Sequence, residues 1–527
     1  MINFRSLLNT NLTIGLAVVL ILGTCFSCGS EEKEVATSSP DVGNHRAGAQ
    51  MMKDSIAAIV ASLDFSNHPY ESARRLKIIE QQVQLAQKQN KLSPHLLLGY
   101  AMTLLNAGES QRAIEIFESI LEQLPQNKVI NETTHGLHEG LALAYMRRGE
   151  QQNCIANHTP SSCIFPIQPE AQHVLPESSQ KAIEIYEQIL AVFPNDLRSR
   201  WLLNIAYQTL GRYPQDVPKQ WLMDPALFEP EANLPRFKNI AAEIGVDVYD
   251  LAGGTVLDDF NGDGYLDMLS SSWDLDGTLR YFLNDKKGAF NDQTAAAGLD
   301  AVVGGLNIIQ ADYDNDGDLD FYILRGAWSG TENLGQLPNS LVRNNGDGTF
   351  SDVTIAGGLY AAEPSQAAVW LDYNLDGWLD LYVTNETVTP NELHPCHLYL
   401  NQQDGTFKDV APQLGLAVTG FIKGVAAADV NADGRPDLYL SYMDGPNRLY
   451  LNEGGSSPEQ WNFREAGAAA GVTKPDSSFP TWFFDYDNDG DEDIFVVNFD
   501  NYLLKQQSHE MVADFLDLPL RTTYSRL

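Results

Sequence analysis

Cysteine is scarce in this chain, with five in 527 residues, and two of the five lie within the first 28. Basic side chains are scarce too: 34 Lys and Arg stand against 70 Asp and Glu, for a formal net charge of −36. A surface that negative repels phosphate backbones, which excludes nucleic acid as a partner. Histidine numbers only ten. No P-loop, dinucleotide fingerprint, nucleophile elbow or zinc-ligand spacing occurs. Long apolar runs are missing as well: the best stretch, LTIGLAVVLILGTCF (12–26), is short for a membrane span. The chain does have apolar residues, 43% of the total with 10% aromatic, enough to bury several cores.

The short apolar stretch follows Arg5 and precedes SCGSEEKE, the pattern of a signal peptide over residues 1–27. LGTC (22–25) and CFSC (25–28) both resemble a bacterial lipoprotein cleavage box. Cys28, with a small residue before it and a polar run after it, is the expected lipid-bearing residue, and Cys25 is the alternative. An ordinary cleaved signal or an anchor helix are the competing readings. A lipid would place the protein at a bacterial cell envelope, on the outer membrane or cell surface. Residues 28–50 read as a polar flexible tether. Export also suggests a disulfide between Cys154 and Cys163, which close a short polar loop. Cys396 is left as an inert thiol.

From 51 to 225 the period is helical. Residues 96–125 place small residues Ala101, Gly108 and Ala113 where two helices approach, with Leu104, Ile114, Phe117 and Leu121 as the apolar stripe. A second copy is split between 140–150 and 180–194 by an insertion at 151–179, and 200–214 begins a third. This resembles the tetratricopeptide repeat, against a generic helical bundle as the alternative. It reads as a scaffold.

From 226 to 527 short β-rich runs take over, and five nine-residue segments repeat: DFNGDGYLD (259–267), DYDNDGDLD (312–320), DYNLDGWLD (372–380), DVNADGRPD (429–437) and DYDNDGDED (485–493). Each fits D-x-[DN]-x-D-G-x-x-D. A phenylalanine with a glycine eight residues later repeats with them, at Phe237, Phe290, Phe350, Phe407 and Phe463, always 22 residues before the acidic segment. The constant interval suggests one packed unit that holds both markers. A third marker, as in HLYLN (397–401) and RLYLN (448–452), lies in between. One unit then holds about four short strands, expected in the order Phe strand, strand entering the acidic loop, strand leaving it and LYLN strand. That suits a propeller blade better than a nonapeptide solenoid, whose turns would recur far more often.

The acidic segments carry the chemistry. The expected metal ligands are Asp259, Asn261, Asp263 and Asp267; Asp312, Asp314, Asp316 and Asp320; Asp372, Asn374, Asp376 and Asp380; Asp429, Asn431, Asp433 and Asp437; and Asp485, Asp487, Asp489 and Asp493. Positions 1, 3 and 5 converge as the loop curls, glycine at position 6 permits the turn, and position 9 returns a carboxylate. Hard oxygen donors in that number suit about five structural Ca²⁺ ions. An EF-hand would need glutamate at position 12, where this chain has Ser270, Ile323, Val383, Leu440 and Val496. A polar turn binding nothing is the bland alternative, and the fourth segment, with Arg435 inside it, is the weakest case.

Residues 235–527 resemble the FG-GAP/VCBS type of Ca²⁺-loop propeller repeat, also seen in integrin α-chain heads and cartilage acidic protein-like proteins. The order of leader, helical repeats, cysteine insertion and blades resembles bacterial lipoproteins of that last group (ASPIC/UnbV-associated). The resemblance implies a propeller with more blades than five and a further C-terminal domain, so the ring is expected to be incomplete here, closure by the Phe237 strand completing the last blade being the alternative. The whole is then multidomain α + β, with tetratricopeptide-like helices followed by an all-β propeller. The expected function is Ca²⁺-dependent binding or adhesion to a protein or glycan, with Trp273, Trp328 and Trp378 as candidate sugar-stacking rings and buried core as their plainer role. The alternative is a polysaccharide lyase or hydrolase built on the same propeller, for which His394 and His397 form the one histidine cluster of the blades.

Overall fold

The computed structural model describes residues 45–498, except 69, 125–128, 158, 160, 163–164, 229–236 and 330–333, together with Val512, Ala513, Leu516 and Leu518. The leader, Cys25, Cys28 and most of the expected tether lie outside the described residues. So does Cys163, and with it the expected pairing to Cys154.

Seven helices come first: α1 His45–Ser62, α2 Ser72–Lys88, α3 Pro94–Asn106, α4 Ser110–Gln123, α5 His135–Ala156, α6 Glu177–Val192 and α7 Leu197–Thr209. From α2 onward each packs on the next in chain order. The small residues named above sit where expected. Ala101 and Ala113 are fully buried between α3 and α4, and Gly108 turns the chain between them at φ +82°. Phe117 fills the next interface and requires Gly140, since a Cβ there would stand 2.7 Å from its ring. Most of the cysteine insertion is loop, clamped by Asn153, whose amide oxygen accepts from Leu175 N–H at 2.8 Å. No described helix is long and apolar enough to cross a membrane.

Helix α1 begins at His45, inside the segment read as tether, and belongs to the β region rather than to the helical array. Gly48 lies so close to the carbonyl of Asp352 that a Cβ would stand 2.0 Å from that oxygen. Ala49 joins the core formed by Val256, Phe260, Leu269 and Phe321. Ile56, Val60 and Phe65 pack on Val303 and Leu337. The corner into α2 is held by the Tyr70 and Trp273 rings, 4.7 Å apart.

The β region is a series of antiparallel meanders. The first sheet is β1 Ala252–Asp258, β2 Asp267–Ser272, β3 Arg280–Asn284 and β4 Phe290–Asp292. The second is β5 Asn307–Ala311, β6 Asp320–Leu324, β7 Ser340–Asn344 and β8 Phe350–Asp352. The third is β9 Ser365–Leu371, β10 Asp380–Asn385, β11 His397–Asn401 and β12 Phe407–Asp409. The fourth is β13 Ile422–Ala428, β14 Asp437–Tyr442, β15 Arg448–Gly455 and β16 Trp461–Glu465. A two-stranded fifth follows, β17 Ser478–Phe484 and β18 Asp493–Asn498. First strands of successive sheets contact one another, β1 to β5, β5 to β9, β9 to β13 and β13 to β17. Apolar cores fill the spaces between sheets.

The four strands of a unit are those expected, but their phase is corrected. The phenylalanine strand closes the preceding sheet by pairing with its LYLN strand, as Asn401 pairs with Phe407. The constant 22-residue interval therefore crosses from one sheet to the next. Its length is fixed because it docks on the neighbour: Ala297 O accepts from Phe350 N–H at 2.9 Å, and Gly357 O from Phe407 N–H at 2.8 Å. Phe237 has no preceding LYLN strand to join, and it is fully exposed.

Candidate functional site

All five acidic segments close the hairpin between the first and second strands of a sheet in one register. Asp258 pairs with Asp267, Ala311 with Asp320, Leu371 with Asp380, Ala428 with Asp437 and Phe484 with Asp493. Position 9 is thus the first residue of the second strand.

The loops share one hydrogen-bond pattern. The position-1 carboxylate accepts from the N–H of position 5 at 2.9–3.1 Å. It also accepts from the glycine N–H of position 6 at 2.7–3.0 Å. The position-5 carboxylate accepts from the N–H of position 7. The backbone is left-handed at position 6, as expected, and also at position 4, where Gly262, Asn315, Leu375, Ala432 and Asn488 have φ between +57° and +67°. Position 4 gave no sequence signal because its residue type varies.

Position 9 is the buried anchor. Asp267, Asp320, Asp380 and Asp437 are fully buried, and each accepts from the backbone N–H of an asparagine in the third strand, Asn284, Asn344, Asn401 and Asn452, at 2.7–2.8 Å. Burial pushes Asp320 and Asp380 up to about 8. Asp493 is exposed. The same asparagines tie sheet to sheet: Asn344 donates to Phe260 O at 2.8 Å, Asn401 to Tyr313 O and Asn452 to Tyr373 O, both at 2.9 Å. Their signal was present in the repeated final asparagine of LYLN, but only the fold reveals the neighbour that each one reaches.

In the second loop Asp312, Asp314 and Asp320 bring carboxylate oxygens within 4.8 Å of one another, and in the fifth Asp485, Asp487 and Asp493 do the same. Asp316 and Asp489 are not members of these groups; the first, third and fourth loops carry asparagine at position 3 and form no such group among the described residues. Among the carboxylates of the five loops, two buried oxygens have no hydrogen-bond partner among the described residues, Oδ1 of Asp314 and Oδ2 of the fully buried Asp380. Asp314 is pushed up to about 6 by burial and by the neighbouring Asp316 and Asp312 carboxylates. Oxygen-only donors with buried lone pairs left over have the chemistry that could hold a hard cation.

Most of the other candidates are engaged by neighbouring side chains. His394 bonds Glu363, and His397 bonds Asp409 at 2.9 Å; neither belongs to a metal-type group among the described residues. None of Trp273, Trp328 and Trp378 is fully exposed. Trp328 covers Lys423, whose Nζ lies 3.3 Å from its ring centroid. Lys423 is itself ion-paired to Glu386, and both are buried. Cys396 is buried, and its thiol is pushed up to about 11 by that burial.

The profile of the FG-GAP-like repeat matches residues 259–323, 328–383, 384–440 and 429–496. A stretch of 109 residues is 36% identical to cartilage acidic protein 1 of Homo sapiens and 34% identical to that of Xenopus tropicalis. It covers 20% of this chain and 16% of each relative, so the chain spans about a sixth of the length of the proteins it matches. A chain from a crystal structure of MamA protein aligns with 32% of this chain and 85% of its own length at 17% identity, with a TM-score of 0.15, too low to carry an argument. The C-terminal region of the chain is built of FG-GAP-like repeats, with the acidic hairpin loop as the recurring element of each.

Proposed function

We propose that this is an exported, lipid-anchored protein of the cell envelope in which Ca²⁺ rigidifies a propeller-like series of sheets so that their surface loops bind a protein or a glycan. The reading rests above all on the second loop, where the carboxylates of Asp312, Asp314 and Asp320 converge and Oδ1 of Asp314 is buried without a hydrogen-bond partner. Five loops with five carbonyl- and carboxylate-rich turns suit a hard divalent ion, and Ca²⁺ accepts the irregular geometry that Mg²⁺ refuses. At a free concentration ten times Kd each site stabilises the fold by about 1.4 kcal/mol. The helical array, read as tetratricopeptide-like, serves as a second binding scaffold, and Cys28 or Cys25 carries the lipid. The FG-GAP-like repeats and the likeness to cartilage acidic protein 1 support an extracellular binding role.

The test is a protein and glycan array probed with the folded ectodomain, with and without EGTA. Binding that EGTA abolishes supports the reading. Turnover of a polysaccharide, lost on changing one Asp or His outside the loops, would replace it with the enzymatic alternative.

A further inference from the structure

We infer that the loops share cation binding unequally: Lys286 and Arg435 act as tethered counter-ions in the first and fourth loops and weaken those sites, leaving the second loop as a tight one. This rests on the reading that the loops bind Ca²⁺.

The internal repeats provide the comparison. Two residues after the equivalent asparagine of each sheet, in the turn to the fourth strand in the first three sheets and near the end of β15 in the fourth, one residue lies beside the acidic loop. Its N–H donates to that asparagine, and its backbone is left-handed: Lys286 in the first sheet, Gly346 in the second, Gln403 in the third and Gly454 in the fourth. Lys286 reaches the position-5 carboxylate of Asp263 at 3.1 Å and lies 5.3 Å from the centroid of the Tyr265 ring. Gln403 reaches the corresponding Asp376 at 3.2 Å with a neutral amide. Gly346 offers no side chain, although a Cβ there would stand 2.6 Å from Asp318 Oδ2, so this turn position faces the loop.

In the fourth sheet, with Gly454 at the equivalent position, the cation comes from position 7 instead. Arg435 donates to Asp433 and, through Nε, to Asn452 O at 2.7 Å. The second loop has five aspartates; Arg343 lies near enough to Asp314 to favour its charged form, but it makes no ion pair or hydrogen bond with a loop carboxylate among the described residues. Asp316 receives no side-chain donor among the described residues, and Arg343 on β7 donates to Asn345 instead. An ion entering the first or fourth loop must displace an ammonium or guanidinium from a ligand oxygen and then sit beside it. Two positive charges about 5 Å apart in a wet site cost roughly a tenfold loss of affinity.

The experiment is calorimetric titration of Ca²⁺ into the metal-free full chain. Lys286→Gln, which copies the third sheet, Lys286→Gly, which copies the second, and Arg435→Tyr, which copies position 7 of the first loop, are each compared with the parent. Each variant is expected to tighten one weak site about tenfold, and Asp314→Asn to loosen a tight one. Parent binding with weak sites unchanged within twofold in all three variants overturns this inference while the calcium reading stands. A parent that takes up no Ca²⁺ overturns the calcium reading and this inference with it.

Discussion

Oδ1 of Asp320 accepts the backbone N–H of Asn344 at 2.8 Å, joining the last residue of an acidic loop to the end of the third strand of its own sheet. From there the Asn344 amide crosses to Phe260 O in the loop of the sheet before. Loop, sheet and neighbouring sheet are thus one hydrogen-bonded unit, and the loops are mechanical joints as well as candidate ion sites.

Asp320→Ala is therefore expected to destabilise the fold by about 2–4 kcal/mol even in EGTA, since it strands a buried N–H and leaves a cavity. Asn344→Ala, which removes donors to two carbonyls, falls in the same range. Denaturant unfolding in chelator reads both. A loss seen only with calcium present would make Asp320 a ligand and nothing more.

The buried Lys423–Glu386 pair ties the third and fourth sheets, and Glu386 also accepts the Trp328 N–H of the second at 3.0 Å. Burial drives both groups toward their neutral forms, Lys423 down to about 8. Lys423→Met alone is expected to cost about 3–5 kcal/mol by stranding a carboxylate. Adding Glu386→Gln should recover part of that loss, as read by a double-mutant cycle.

How much of this was legible in the sequence depends on range. The acidic loops, their flanking strands and the α3–α4 packing at Ala101 and Ala113 were legible because a turn or a helix contact is written within a few residues. The phase of the phenylalanine strand was not, because 22 constant residues say that two markers are coupled and not which sheet each one joins. Nor was Gly48: its need for a bare Cα comes from Asp352, three hundred residues away. Lys423, Glu386 and Trp328 are likewise assembled only by the stacking of sheets. Among the expected ligands, the loops equivalent in sequence differ in geometry because position 3 is Asp in two of them and Asn in three, and because turns elsewhere deliver Lys286 or Gln403 to them.

Position 4 of the loops yields a stabilising change. Leu375 and Ala432 hold φ +59° and +57°, a conformation that costs an L-residue roughly 1–2 kcal/mol. Leu375 is mostly exposed, so little packing is lost with it. Leu375→Gly and Ala432→Gly are expected to stabilise by about 0.5–1 kcal/mol, the relief of strain being partly offset by the added freedom of the unfolded chain. Thermal unfolding measures it.

His68 makes the α1–α2 corner sensitive to acid. Its Nδ1 accepts the N–H groups of Glu71 at 3.1 Å and Tyr70 at 3.3 Å, which requires the neutral ring. Burial first, then Arg75 and Arg74, push it down from 6.5 to about 4. The unfolded chain takes up a proton below 6.5 and the folded chain does not. Stability is thus fully present above pH 6.5 and is lost as pH falls toward 4, by about 3 kcal/mol. His68→Asn should flatten that slope in pH-dependent denaturation. An unchanged slope would remove His68 from the account.

The most direct measurement is the calcium content and melting temperature of the folded chain, first dialysed against EGTA and then returned to millimolar Ca²⁺. The account predicts bound calcium and a rise of several degrees, reversed by chelator. No bound metal and identical melting in both buffers would contradict it.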